Sequence, residues 1–81
     1  MTQLVTINGK KRDLVDLIMD YEGGELSAED TVFFFSHLVK YGLAWQLQGA
    51  YGRFAVYLME LGILAPNGDL VDGWHDKLAE G

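Results

Sequence analysis

Apolar and polar positions alternate with a period of two only near the start of the chain, where Leu4 to Ile7 reads as a short β-branched strand. Asn8-Gly9 follows, a dipeptide suited to a type I′ turn because both central positions take positive φ. The return strand, Lys10-Lys11-Arg12, carries three cations and fits a solvent-facing edge. From Asp13 the period lengthens to that of a helix, with Leu14, Leu17, Ile18 and Tyr21 at i, i+3, i+4 and i+7, until Gly23-Gly24 stops it. Ser27-Ala28-Glu29-Asp30 has the form of an N-cap, in which the serine oxygen accepts an orphan backbone N–H and Asp30 reaches back in a capping box. The helix it opens carries Val32, Phe33, Phe34, Phe35, Leu38 and Val39, apolar around more than half its circumference and so central to the fold. Three consecutive phenylalanines cannot face one way on a helix, so at least one is expected against the hairpin or a partner. Gly42 predicts a left-handed cap with Leu43 set against Leu38. A third helix, with the stripe Phe54, Tyr57, Leu58 and Leu61, ends at Gly62 in the same way. Pro66-Asn67-Gly68-Asp69 is a turn, and Leu70-Val71 suggests a brief strand beside Leu4 to Ile7. The last ten residues, with Trp74 and Leu78 among charges, read as one frayed helical turn or a disordered tail.

The pattern therefore predicts a mainly α fold, a small three-helix domain with a short N-terminal β-hairpin. It reads as a single domain over 1–81, with the hairpin in 1–12, a helical core in 13–64 and a turn and tail in 65–81. At 81 residues one core buries roughly 60 to 65% of the unfolded surface, a size at which small proteins lean on disulfides, metals or partner subunits. The chain has no cysteine, which removes disulfides and thiolate metal sites and predicts an intracellular setting. A hydrophobic fraction of 49% is ample for so small a core, which makes a homodimer or a protein-binding patch an expectation. Twelve acids against six bases give a net charge of -6, which disfavours non-specific contact with nucleic acid. No stretch has the length and apolarity of a membrane span or a secretion signal, so the chain is expected to be soluble and unexported.

Chemistry adds few candidates. There is no nucleophile beside a base, no glycine-rich phosphate loop after a strand and no set of metal ligands, since His37 and His75 stand far apart. The expectation is a protein that is not an enzyme, with no catalytic residue, no metal and no cofactor. Seven acids and no base lie between Asp13 and Asp30, which reads either as a solvated face or as an imitation of a phosphate row. Lys10, Lys11 and Arg12 read either as a solvated edge or as a basic patch for phosphate.

The stretch from Gly42 to Arg53 is too rich in glycine and polar groups for a helix interior and too aromatic for an ordinary solvated loop. Its residues permit two accounts. In one, Trp45 and Leu47 plug the space between helices, Gln46 and Gln48 satisfy helix ends, Gly49 and Gly52 allow a tight path, and Arg53 pairs with an acid of the first helix. In the other, Trp45, Gln46, Gln48, Tyr51 and Arg53 form an exposed binding patch, tryptophan, tyrosine and arginine being the residue types most enriched in binding hot spots. The outline of helix, glycine-containing turn and helix also suggests a helix-turn-helix. Its second helix would present only Arg53 as a cation, beside Tyr51, Val56, Met59 and Glu60.

Residues Asp16 to Leu64, above all Trp45-Gln46-Leu47-Gln48-Gly49-Ala50-Tyr51-Gly52-Arg53, resemble a group of small uncharacterised proteins of tailed bacteriophages. The resemblance spans about 49 of the 81 residues and departs at Phe54-Ala55-Val56, where similar chains tend to have a smaller, more polar residue first. It implies a source and a setting, not a mechanism. With the residues themselves it leads to an expected protein-binding module in the host cytoplasm, acting on a host or defence protein through Trp45 to Arg53 or the acidic face. A DNA-binding regulator and an acidic nucleic-acid mimic are the alternatives, and no membrane partner is expected.

Overall fold

The computed structural model describes residues 3–80. Strands β1 (Leu4–Ile7) and β2 (Lys10–Asp13) precede helices α1 (Leu14–Glu22) and α2 (Ala28–Lys40). A 3₁₀ turn (Leu43–Trp45) leads to α3 (Gly49–Glu60), and α4 (Trp74–Glu80) closes the described chain. The fold is thus mainly α with an N-terminal hairpin, and it carries a fourth helix where a frayed or disordered tail was expected. No helix among the described residues is long and apolar enough to cross a membrane. The chain divides into two compact units, one ending at Phe34 and one starting at Phe35, with the boundary inside α2.

In the first unit β1 and β2 pair antiparallel, with Val5 opposite Arg12 and Ile7 opposite Lys10. Asn8 and Gly9 both take positive φ, 51° and 83°, as the type I′ turn requires. Period-two alternation buries Val5 and Ile7 and leaves Leu4 and Thr6 exposed. The Asp13 carboxylate caps α1 by accepting the Val15 N–H at 3.3 Å. Leu17 is fully buried, Phe34 is too, and the Tyr21 ring lies 5.9 Å from that of Phe34. At the start of α2 the Ser27 hydroxyl accepts the Asp30 N–H at 3.1 Å, and the Thr31 hydroxyl donates to the Ser27 carbonyl at 2.8 Å. Half of the expected capping box is therefore formed. The Asp30 carboxylate makes no hydrogen bond or ion pair among the described residues. Among the described residues the sheet has two strands, β1 and β2, and Leu70 is not in it.

The second unit is built around Phe35. Its fully buried ring meets Phe54 edge-on at 4.8 Å and lies near parallel to Tyr51 at 6.0 Å. α3 ends in a Schellman pair, Ile63 N–H to Leu58 carbonyl and Gly62 N–H to Met59 carbonyl, both at 3.0 Å. Beyond it the chain folds back on itself: Leu70 forms an isolated bridge with Leu64, and the Val71 N–H donates to the Ile63 carbonyl at 3.0 Å. The turn between them docks on the last turns of α2. The Ser36 hydroxyl donates to the Gly68 carbonyl, and the Lys40 ammonium meets Asp69 at 3.1 Å. Hydrogen bonds from Lys40 and then Asn67 hold the Asp69 carboxyl below the usual carboxylate value. α4 is held by Trp74, which is only 7% exposed, and the end of the Lys77 side chain, its ammonium nearest, lies over Gly62. One large buried ring near the start of a seven-residue helix fixes a segment whose charges otherwise suggested a loose tail.

Two predictions follow the docking of the turn on α2. Gly68 has φ 95°, and a Cβ there would stand 2.6 Å from the Lys40 backbone nitrogen, whereas a Cβ at Gly73, with φ 82°, would meet nothing within 4 Å. Gly73→Ala should cost about 1 to 2 kcal/mol from the left-handed backbone alone, and Gly68→Ala at least ~1 kcal/mol more from overpacking. Urea unfolding of the two variants measures the gap, and equal losses would contradict the close approach. The second prediction concerns His37, whose pKa is lowered, first by burial and then by the Lys40 charge. The unfolded chain therefore binds the proton more readily than the folded one. Stability should be at its full value above the ordinary histidine pKa and should fall as pH drops through that value towards the lower folded one. His37→Gln should remove this component from the change in melting temperature between neutral and mildly acidic pH.

Candidate functional site

The segment after α2 enters its path through Gly42, whose φ of 74° turns the chain into the 3₁₀ turn. The Gln46 and Leu47 N–H groups close that turn on the Leu43 carbonyl at 3.0 and 3.1 Å. Ala44 points inward and is buried, which leaves Trp45, its neighbour, pointing out. The Trp45 ring lies across Gly52 of α3: a Cβ at Gly52 would sit 3.4 Å from Trp45 Cε3. One part of the indole is thus backed by helix backbone while 53% of the residue remains exposed. A flat ring held this way is fixed in position and still offers apolar surface outward.

The glutamines do not serve the helix ends. Gln48 occupies the N-cap position of α3 without a side-chain cap bond, and its backbone carbonyl accepts the Tyr51 N–H at 2.9 Å. The side chains of Gln46, Gln48 and Arg53 are exposed and make no hydrogen bond or ion pair among the described residues. The expected pairing of Arg53 with an acid of the first helix is therefore not made. The guanidinium instead lies back along α3, with Nη1 3.3 Å from where a Cβ would stand on Gly49.

Tyr51 departs from the expected patch. It is 4% exposed and belongs to the core of its unit through Phe35. The physical reason is the rotation of α3. Two apolar stripes compete on this helix, and the one that is buried is Tyr51, Ala55 and Leu58, at i, i+4 and i+7. The small Ala55 lets the helix approach closely, and Phe54 is left half-buried. The stripe expected inside, which included Tyr57, is turned outward at that residue, which is 47% exposed.

That rotation adds two residues to the surface. Val56, 44% exposed, is four residues beyond Gly52, and Tyr57 is four beyond Arg53, so each continues a row that Trp45 or Arg53 begins. The assembled candidate surface is Trp45, Gln46, Gln48 and Arg53, extended by Val56 and Tyr57. Val56 was legible as an outward residue. Tyr57 was not, and the signal that finds it is the alternative stripe through Ala55. The surface holds no nucleophile and base pair, and among the described residues no group of three or more His, Asp or Glu is arranged to hold a metal.

The backing of Trp45 by Gly52 gives a prediction of its own. Gly52 is helical, and the space above it admits a methyl group in ordinary contact with the indole. Gly52→Ala should therefore raise stability by roughly 0.5 to 1 kcal/mol through helix propensity, and Gly52→Leu should lower it by displacing the ring. Denaturant unfolding of both reads the sign. A loss for alanine would mean that the ring bears harder on the helix than ordinary contact.

No curated protein and no solved structure matches the chain. Residues 8–80, from the hairpin turn to the end of α4, match the family described as Domain of unknown function (DUF7417), and the chain belongs to that family.

Proposed function

We propose that this chain is a non-enzymatic protein-binding module of a tailed bacteriophage, acting in the host cytoplasm on a host or defence protein through the surface centred on Trp45. The observation that carries the reading is the combination at that surface. An indole is braced by Gly52 and half exposed, and three exposed polar side chains of the same segment keep their full hydrogen-bonding capacity. Residues held in place before contact lose little side-chain entropy on binding, and tryptophan and arginine are common anchors of interfaces. The surface is also set apart by charge. Between Lys40 and Glu60 the only ionised side chain is Arg53, in a chain with twelve acids. The same count weighs against reading α3 as a DNA-recognition helix, because one cation cannot offset a net charge of -6 near a phosphate backbone.

The test is affinity capture from infected host cells with the tagged chain and with a Trp45→Ala, Arg53→Ala double variant whose fold is verified by its circular dichroism and melting curve. The expected result is a host protein retained by the wild type and lost by the variant. With the purified partner, each single substitution should weaken binding by roughly thirtyfold or more, the scale of a hot-spot residue. Recovery of the same proteins by both baits, or of none, would overturn the assignment of this surface.

A further inference from the structure

The hairpin carries a second feature, independent of the Trp45 surface. Ile7, Asn8, Lys10, Arg12 and Asp30 line a notch of about 140 Å³ in the first unit. Its construction follows from the register. Residues directly opposite in an antiparallel pair share a face, so Ile7 with Lys10 and Val5 with Arg12 lie on one side of the hairpin, and Lys11 lies on the other. The three consecutive cations are therefore divided, which removes the simple basic patch. Buried Ile7 forms an apolar floor between Lys10 and Arg12. Arg12 is partly engaged, its Nη2 donating to Asp20 Oδ2 at 2.7 Å, but a guanidinium has five N–H donors and this bond uses one.

Asp30 supplies the opposite charge. Its backbone N–H is capped by Ser27, its carboxylate is free of the capping box, and the residue lines the notch. Lys10 and Asp30 line one small space, yet neither has an ion pair or hydrogen bond from its side chain among the described residues. With Arg12 neutralised by Asp20, the notch presents one free ammonium, one free carboxylate and the spare N–H groups of a guanidinium. A dianion such as phosphate would gain Lys10 but meet Asp30. A molecule carrying both charges a few bonds apart matches both sides.

We propose that the notch binds a small zwitterion of the α-amino acid class, with its ammonium on Asp30 and its carboxylate on Lys10 and Arg12. The volume limits the ligand to a short side chain lying on Ile7. The experiment is a titration of the full chain followed by backbone-amide NMR, using glycine, acetate, methylammonium and inorganic phosphate in turn at matched ionic strength. Glycine should give saturable shifts at Asn8, Gly9, Lys10 and Asp30, with half-saturation at roughly millimolar concentration. Acetate and methylammonium, each offering one charge, should bind about tenfold more weakly or worse. Asp30→Asn and Lys10→Gln should each weaken glycine by about tenfold while leaving the remaining amide spectrum in place. The second variant guards against a helix-end effect of the first. Binding of acetate or phosphate as tight as that of glycine would make this an anion site and overturn the proposal. So would glycine binding that survives both substitutions, or the absence of saturation with every probe.

Discussion

The packing of Phe54 and Tyr51 on the buried ring of Phe35 is the constraint on which the second unit depends. Those two contacts, at 4.8 and 6.0 Å, involve residues three apart on α3 and so fix the rotation of that helix about its axis. Once the rotation is set, Ala55 and Leu58 must turn inward, and Arg53, Val56 and Tyr57 must turn out. Gly52 comes to lie beneath Trp45, and the indole acquires a backing that a larger residue would deny it. The exposed surface is thus a by-product of how the core closes, and the backing of Trp45 by Gly52 needs no polar bond.

Much of the architecture was legible in the chain because it rests on local signals. Asn8-Gly9, the Ser27 cap and the glycines after α2 and α3 each act within a few residues, and each does in the structure what its chemistry implies. The errors came where two local signals compete and a distant residue decides. α3 has two apolar stripes, one through Phe54 and Tyr57 and one through Tyr51 and Ala55. Counting hydrophobicity favours the first because alanine scores low. Close packing of the helix favours the second because alanine is small, with Phe54 kept at the edge of Phe35 and Tyr57 turned out. The position of Tyr51, and with it the composition of the candidate surface, follows from that long-range choice. Leu70 fails similarly: its partner is Leu64, six residues back, rather than β1. α4 was missed for a third reason, that one buried tryptophan can anchor a short helix whose other residues look like a tail.

The charges are distributed with as much consequence as the apolar residues. Lys40, the cation that ends α2, is paired with Asp69 and holds the returning turn, and Arg12 is paired with Asp20 across the first unit. Both pairs are about a third exposed or more, so their contribution to stability is small. Their more definite effect is to neutralise two of the six basic groups, although Arg12 keeps N–H donors that its one bond to Asp20 does not use. Of the remainder, Lys10 and Lys11 stand on opposite faces of one strand, and Lys77 lies against Gly62. Arg53 is left as the cation whose surroundings hold no acid in the sequence for six residues on either side.

That isolation shapes what the proposed interface can accept. At long range a partner meets the field of the whole chain, which at a net charge of -6 repels acidic surfaces and draws basic ones. At contact it meets an exposed indole and the Arg53 guanidinium of the same segment, a pairing that rewards a carboxylate and an aromatic or aliphatic group together. The two requirements conflict for a partner of uniform charge of either sign. They agree for a surface that is weakly charged overall and places one acid within an apolar patch. Such an interface would draw its affinity from burying Trp45, Val56 and Tyr57, would take its orientation from one bidentate bond, and would depend little on salt, since screening weakens the long-range field while leaving apolar burial unchanged. Weak dependence on salt is therefore the property that separates this surface from the electrostatic modes of binding that an acidic chain would otherwise suggest.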